Sequence, residues 1–395
     1  MAVRILVTMG TRPEIIKLGP VCQELSRRSG VELEVFWTGQ HIELAAGLAD
    51  LFDLKISHNG SKVMGEPDLA GKFGLMVQQI EGVLHRKPYD WVVVQGDTIT
   101  AAAAAVAGFY NCVPVAHVEA GLRTGNLHSP WPEEFDRRVI TLSSSVHFAP
   151  TAMARDALLR EGVPGHDVIL TGNTVVDALL HVREQVQGNY RPLDPDIAKL
   201  PRGRKLVLAT LHRRETIGEG HRNVLRALRT LARDGDKVVA LPVHLNPEVR
   251  GEVLDVLEDE PGVYLLAPLQ YPDFVHLLSR AWTVVTDSGG VQEEAPTFGL
   301  QILITRDTTE RPECVSAGFG KLVGTDYGAI VEGVRRLTAG DRPLLLGTAN
   351  PFGDGRASMR IADRLLAPAG SAPVAARIAD RLLAPAGNAL VAANR

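Results

Sequence analysis

Two doubly wound α/β domains facing a cleft are the fold this sequence predicts, on three observations. Short runs rich in Val, Ile and Leu recur along the whole chain; they are apolar throughout rather than alternating; and stretches of helical spacing separate them. Strands buried on both faces read this way, and their alternation with helices makes the sheets parallel. In the first half the strands fall near 3–8, 33–38, 91–95, 113–118, 145–149 and 168–170. In the second half they fall near 205–210, 237–241, 263–266, 283–286, 301–304 and 321–323. Equal numbers in the two halves predict two domains of similar size, and a length of 395 residues suits two or three domains. The polar, proline-containing stretch 187–204 is the predicted linker, so the domains are read as 1–186 and 205–352. Ligands of open α/β sheets lie beyond the carboxyl ends of the strands, which directs attention to the strand-to-helix turns.

Composition narrows the partners. Lys plus Arg (42) against Asp plus Glu (46) leaves a net charge of −4, with no global positive field to hold nucleic acid or an anionic membrane. The three cysteines, Cys22, Cys112 and Cys314, lack CxxC spacing, which argues against a zinc module or a disulfide framework and fits a reducing, cytoplasmic setting. No apolar run approaches the roughly 20 residues of a membrane span, and the amino terminus reads as a first strand rather than a signal peptide.

The first turn, Met9 to Glu14, enters a helix that holds Lys17. Pro13 and Glu14 suit a first helical turn, and Arg12 and Lys17 read either as phosphate ligands or as solvated helix charges. A single glycine makes this neither a dinucleotide fingerprint nor a Walker loop. The next informative turn is Gln95-Gly96-Asp97-Thr98, where Asp97 reads equally as a helix cap. Glu119 closes the following strand, and the Ser129 to Glu134 loop presents Glu133 and Glu134. Three acidic sites on neighbouring turns exceed what capping requires, and carboxylates sharing a cleft can divide acid and base roles.

In the second half His212 and Arg213 stand just past a strand, suggesting an anion nearby, and His244 repeats the arrangement one strand later. Ser288-Gly289-Gly290 opens a helix with bare backbone N–H groups suited to a phosphate, and Glu294 within that helix suits a ribose diol. The stretch 306–313 is dense in charged and hydroxyl residues for a connector.

With these turns in order, the chain resembles the non-hydrolysing UDP-N-acetylglucosamine 2-epimerases. The matching motifs are GTRPEIIK (10–17), QGDT (95–98), HVEAGLRTGNLHSPWPEE (117–134), TGNTVVDAL (171–179), HRRE (212–215), PVHLNP (242–247), TDSGGVQEEAP (286–296), RDTTERPE (306–313) and NPFGDG (350–355). The resemblance implies two Rossmann-like domains in the GT-B-like architecture of many glycosyltransferases, with a last helix, about 353–370, crossing back onto the first domain. It implies a homodimer acting on a UDP-sugar without metal or nicotinamide cofactor. It also implies roles: Asp97, Glu119 and Glu133 as catalytic carboxylates, His212 at the leaving diphosphate, and Arg12 and Lys17 near the phosphates and the catalytic centre. Phe274 matches the position beside the uracil, Leu269 a neighbouring backbone contact, Ser288, Gly289 and Gly290 the phosphate turn, Glu294 the ribose contact, and Arg311 a further UDP contact. The implied reaction loses H2 and expels UDP to give 2-acetamidoglucal, then adds UDP back with the proton returned to the other face. Rival readings are a 2-epimerase of a related sugar such as UDP-2,3-diacetamido-glucuronate, a hydrolysing epimerase, and a silent nucleotide-sugar sensor.

Two features depart from the family. Ile42-Glu43 after Gln40-His41, and an arginine-free loop at 62–69 containing Glu66 and Asp68, are ill-suited to the second UDP-sugar that activates some bacterial members. The tail repeats itself: RIADRLLAPAGSAPVAA (360–376) is followed by RIADRLLAPAGNALVAA (377–393). One extra copy of a 17-residue unit is too short for a solenoid, so residues 371–395 are expected to pack loosely.

Overall fold

The computed structural model describes residues 2–39, 42–60, 63–188, 190–211, 218–244 and 246–367. His212, Arg213, the Gln40-His41 pair and the second copy of the tail repeat lie outside these residues. The chain divides into two compact units, one formed by residues up to Thr174 with the segment from Arg356, the other by Val175–Gly355.

The first unit holds β1 (Val3–Met9), α1 (Arg12–Arg27), β2 (Val31–Trp37), α2 (Ile42–Leu51), β3 (Ile56–Asn59), α3 (Leu69–Leu84), β4 (Trp91–Gln95), α4 (Ile99–Tyr110), β5 (Val115–Val118), α5 (Glu133–Ser143), β6 (Val146–Ala149), α6 (Ala152–Arg160) and β7 (Val168–Leu170). Its sheet runs β3-β2-β1-β4-β5-β6-β7, parallel throughout. The chain winds outward from β1 to β3 and then returns to β4 on the other side. The turns after β1 and β4 therefore flank the switch point where such sheets bind ligands. The half predicted to hold six strands has seven: β3 is a four-residue edge strand, Ile-Ser-His-Asn, largely exposed, and so has no apolar run to betray it.

The second unit opens with α7 (Thr174–Gln185) and α8 (Pro195–Ala198) and continues through β8 (Lys205–Thr210), α9 (Glu219–Arg233), β9 (Lys237–Pro242), α10 (Pro247–Leu257), β10 (Val263–Leu266), α11 (Tyr271–Arg280), β11 (Thr283–Thr286), α12 (Gly289–Glu294), β12 (Ile302–Ile304), α13 (Pro312–Ser316), β13 (Gly320–Leu322) and α14 (Tyr327–Leu337). All of its strands are parallel in the order β10-β9-β8-β11-β12-β13, with the switch point between β8 and β11. Its core gathers Val207, Val239 and Val285 from the strands with Leu225, Leu228 and Ile330 from α9 and α14.

The last helix, α15 (Ala357–Leu366), packs on α1 within the first unit. Trp91 donates its indole N–H to the Leu365 carbonyl at 3.1 Å, and Asp363 meets Arg28 at 2.9 Å. Against the centre of the sheet, α4 carries five successive alanines, Ala101 to Ala105, all fully buried, which lets α3 and α5 approach it closely.

Two features set the turn after β5. Glu119 itself has φ 62°, a left-handed conformation uncommon outside glycine, and Gly121 follows at φ 95°. On β5 and its neighbour β6, His117 and His147 meet edge to face in the core, ring centroids 6.4 Å apart. Burial drives both imidazoles toward the neutral form, His117 down to about 3 and His147 to about 4. Neutral His117 donates from Nε2 to the Gly96 carbonyl at 2.8 Å, fixing the turn that carries Asp97.

Gly121→Ala would place its Cβ 2.2 Å from the Ala154 carbonyl oxygen at a positive φ. It is expected to cost about 2–3 kcal/mol in a urea denaturation, the combined effect of overpacking and a disfavoured φ. The two histidines predict a pH dependence. Their unfolded forms take up protons below 6.5 while the native forms resist, so stability present above that pH is lost as pH falls toward about 3. Melting temperatures followed downward from pH 7 should fall less steeply for His147→Leu than for the parent.

Candidate functional site

Three turns of the first unit converge on a carboxylate cluster. β1, β4 and β5 are consecutive neighbours in the sheet and end at the same edge, bringing together residues 10–17, 95–98 and 119–121. Glu119 is 6% exposed, and Lys17, Asn173 and Gln95 are among the donors that reach it. Lys17 reaches it from α1 at 2.5 Å, Asn173 donates at 3.4 Å, and Gln95 donates from the neighbouring strand end. The left-handed backbone at Glu119 turns its carboxylate back onto this edge, and the donors fix both oxygens.

Asp97 does not cap α4. That work falls to Thr98, whose hydroxyl accepts from the Ala101 N–H at 3.0 Å. Asp97 instead accepts from Arg137, at 2.9 Å from Nε and 2.8 Å from the second nitrogen. Arg137 is buried and also pairs with Glu134 at 3.0 Å, so one guanidinium bridges the β4 turn and the first turn of α5. Glu134 in turn accepts from the N–H of Thr124 at 3.1 Å, anchoring the Pro-rich loop that leads into α5. Glu133 opens α5, and its Oε2 is buried without a hydrogen-bond partner among the described residues. Asp136, one turn further on, is 6% exposed. Its carboxyl is pushed up to about 7, first by burial and then by the charges of Asp97 and Glu133.

Glu14 joins two of these turns. Its carboxylate accepts from the N–H groups of Gly10 (2.9 Å) and Thr11 (2.8 Å), and from the hydroxyls of Thr11 (2.8 Å) and Thr98 (2.6 Å). Sequence reading assigned Glu14 only to the helix dipole. Full burial raises its pKa, and the four donors oppose that rise. Arg12, half-buried, stands at the start of the same helix.

The second unit brings together a different set. Ser288 precedes α12 without using its hydroxyl as a cap, and its own N–H is held by Thr286 at 2.9 Å. A Cβ added at Gly289 would lie 3.8 Å from the guanidinium carbon of Arg311, so the phosphate-type turn and Arg311 are neighbours. Arg311 is steadied by Glu293 at 2.6 Å, and Thr309 donates to Gln292 at 2.5 Å, tying the 306–313 loop to α12. Glu294 is nearly buried on the same helix. Leu269 is buried just before α11, and Phe274 is half-exposed on that helix. His244 is exposed after β9 and accepts at Nδ1 from the Asn246 N–H at 3.1 Å.

Sequence reading missed Arg137, Asp136, Gln95 and Asn173 as site residues. Gln95 and Asn173 lie inside quoted motifs at strand ends, which was a usable signal. Arg137 and Asp136 become visible only once the rotation of α5 is known. Among the described residues no group of three or more His, Cys, Asp or Glu is placed to hold a metal ion, and no helix is long and apolar enough to cross a membrane.

Comparison with known proteins identifies the family and the fold. The family profile described as UDP-N-acetylglucosamine 2-epimerase matches residues 23–366. A probable UDP-N-acetylglucosamine 2-epimerase of Ralstonia nicotianae is 42% identical over 370 residues, covering 92% of this chain and 99% of that protein. The UDP-N-acetylglucosamine 2-epimerase of Escherichia coli K12 is 40% identical over 375 residues, covering 92% and 98%. The crystal structure of the Neisseria meningitidis enzyme bound to UDP-GlcNAc superposes with a TM-score of 0.84 at 38% identity, covering 93% of this chain and all (100%) of that one. That of Methanocaldococcus jannaschii, in complex with UDP-GlcNAc and UDP, gives 0.77 at 32%, covering 92% and 99%. By matched profile, by identity over nearly its whole described length and by fold, this chain belongs to the UDP-N-acetylglucosamine 2-epimerase family.

Proposed function

We propose that the protein reversibly inverts C2 of UDP-N-acetylglucosamine to give UDP-N-acetylmannosamine, by eliminating UDP and adding it back. The observation that carries this reading is that Asp97, held by Arg137, and Glu119, held by Lys17, stand on neighbouring turns at the switch-point edge of one sheet, with Glu133 opening the helix that carries Arg137. C2 bears an acetamido group and has no adjacent carbonyl, so its proton is not acidic. Its removal has to be coupled to loss of a good leaving group at C1, and UDP is one. Loss of H2 and UDP leaves bound 2-acetamidoglucal; return of a proton to the opposite face, with re-addition of UDP, gives the epimer. Hydrogen leaves and returns as a proton, and the reaction has no net redox change.

Such a route needs proton-transfer groups on both faces of the sugar, and the three carboxylates supply them. It also needs a fixed anion site that keeps UDP bound between the two halves. The Ser288, Gly289 and Gly290 turn with Arg311 suits the diphosphate, and preorganised donors there stabilise charge as the C1–O bond breaks; Arg12 and His212 are the residues the resemblance adds for the phosphates, and Arg213 follows His212 in the chain. Glu294 suits the ribose, and Leu269, Phe274 and His244 suit the uracil end. Arg137 would position Asp97, and Lys17, Gln95 and Asn173 would position Glu119. In the cell we place the protein as a cytoplasmic homodimer feeding surface polysaccharide synthesis, as the resemblance implies.

In deuterium oxide the epimerised sugar should carry deuterium at C2, read by proton NMR, while phosphorus NMR shows no accumulation of free UDP. Protium retained at C2 would remove the elimination route, and stoichiometric UDP release would indicate a hydrolysing enzyme instead. Glu119→Gln and Asp97→Asn should each lower kcat by at least ~100-fold, the lower range for loss of a general acid or base. KM should change far less, because the UDP-binding turn is untouched. Near-parental kcat in Asp97→Asn would return that residue to a structural role.

A further inference from the structure

Asp136 has no part in the reading above, yet it stands beside its proton-transfer groups. It lies one turn after Glu133 on α5, and residues three apart share a helix face. Asp136 is 6% exposed, and its Oδ2 has no hydrogen-bond partner among the described residues. Glu133 Oε2 is in the same condition. Two buried carboxylate oxygens without donors, on one face and a turn apart, are a costly arrangement if both are ionised. A single proton held between the two groups would satisfy both.

The surrounding charges favour that proton. Those acting on Asp136 are Asp97, from the turn after β4, and Glu133, from its own helix, both negative. The nearby cations have other partners: Arg137 holds Asp97 and Glu134, Arg123 and Arg138 hold Glu161, and Lys17 holds Glu119. Burial and the two carboxylates bring Asp136 to about 7, so its acid form persists at neutral pH.

We propose that Asp136 and Glu133 share one proton, with Asp136 as the reservoir that resets Glu133 during turnover. This rests on Glu133 exchanging a proton with the sugar. At rest the proton sits on Asp136, beside the Glu133 carboxylate. As Glu133 protonates carbon it takes the Asp136 proton, so one proton passes from Asp136 through Glu133 to carbon, both groups are left as carboxylates, and water returns one proton to Asp136. In the opposite direction the same transfers run backwards, and no redox partner is involved. Asp136 is thus a positioning residue for a proton, acting through Glu133 rather than on the substrate.

The test has one readout that needs no turnover. With aspartate carboxyls labelled with carbon-13, the full-length protein should show a resonance titrating near 7. That resonance should be absent in Asp136→Asn. Kinetically, Asp136→Asn should lower kcat by about 10-fold, less than loss of a direct acid or base, with KM unchanged. The parent's kcat should fall as pH rises through about 7, and the variant should lack that fall. Asp136→Glu should restore part of both the rate and the pH profile. Absence of any aspartate titrating above about pH 5, well clear of the ordinary range, would overturn the proposal; so would a variant with parental kcat and pH profile. If the parent makes no epimer while the resonance still titrates, the functional reading fails and the shared proton stands.

Discussion

The buried carboxylate of Glu14 is the contact on which the rest of the first unit's site depends. Parallel strands stop at a common edge, but nothing in the sheet ladder dictates how the loops beyond that edge stand to one another. Glu14 supplies the missing constraint by taking donors from the β1 turn and from the β4 turn at once. Its side chain has left water entirely, which disfavours the charge, and four short hydrogen bonds offset that loss. With the two turns locked, α1 starts in a fixed direction and Lys17, further along it, reaches Glu119. Arg137 then repeats the device one strand along, clasping the β4 turn to α5. Buried ion pairs of this kind are weak stabilisers and effective registers, because an unpaired partner is expensive.

The second unit solves the same problem with a different residue type. Its phosphate-type turn is short and glycine-rich, and offers backbone groups rather than side chains. Arg311 comes from a separate loop, and Glu293 and Glu310 hold that guanidinium beside Gly289. Asp273, buried at the start of α11, accepts from Tyr190 and from the N–H groups of Leu193 and Asp194, so the segment entering the unit is pinned next to Phe274. In both units acidic residues serve mainly to aim something else.

Much of this was legible in the sequence, for a physical reason. The interior strands β4, β8 and β11, buried along most of their length, read true to the residue from their apolar runs, and so did the edge strands β7 and β10, which are apolar though only partly buried. The exposed edge strand β3 has no apolar run and left no trace. Asp97, Glu119 and Glu133 could be picked out because strand ends and helix starts are set by local pattern. Arg137 and Asp136 could not, because their meaning depends on which way α5 faces. Glu14 was seen but undervalued: its helix position is local, while its bond to Thr98 spans 84 residues.

The alanine run of α4 bears on how this chain can change over generations. Five consecutive residues with no exposed surface occupy every direction around the helix axis, so over this stretch α4 has no outer side, and its exposed residues Phe109 and Tyr110 are confined to the last turn. Each larger replacement there adds atoms to a closed space, and no single neighbouring change can make room on every side. The neighbouring helix α5 differs, because Phe135 and Leu142 stand exposed on it. On that helix the outward face can diversify while the inward face keeps Glu133, Asp136 and Arg137. The enclosed stretch of α4 thus acts as a fixed spacer, setting the distance between α3 and α5.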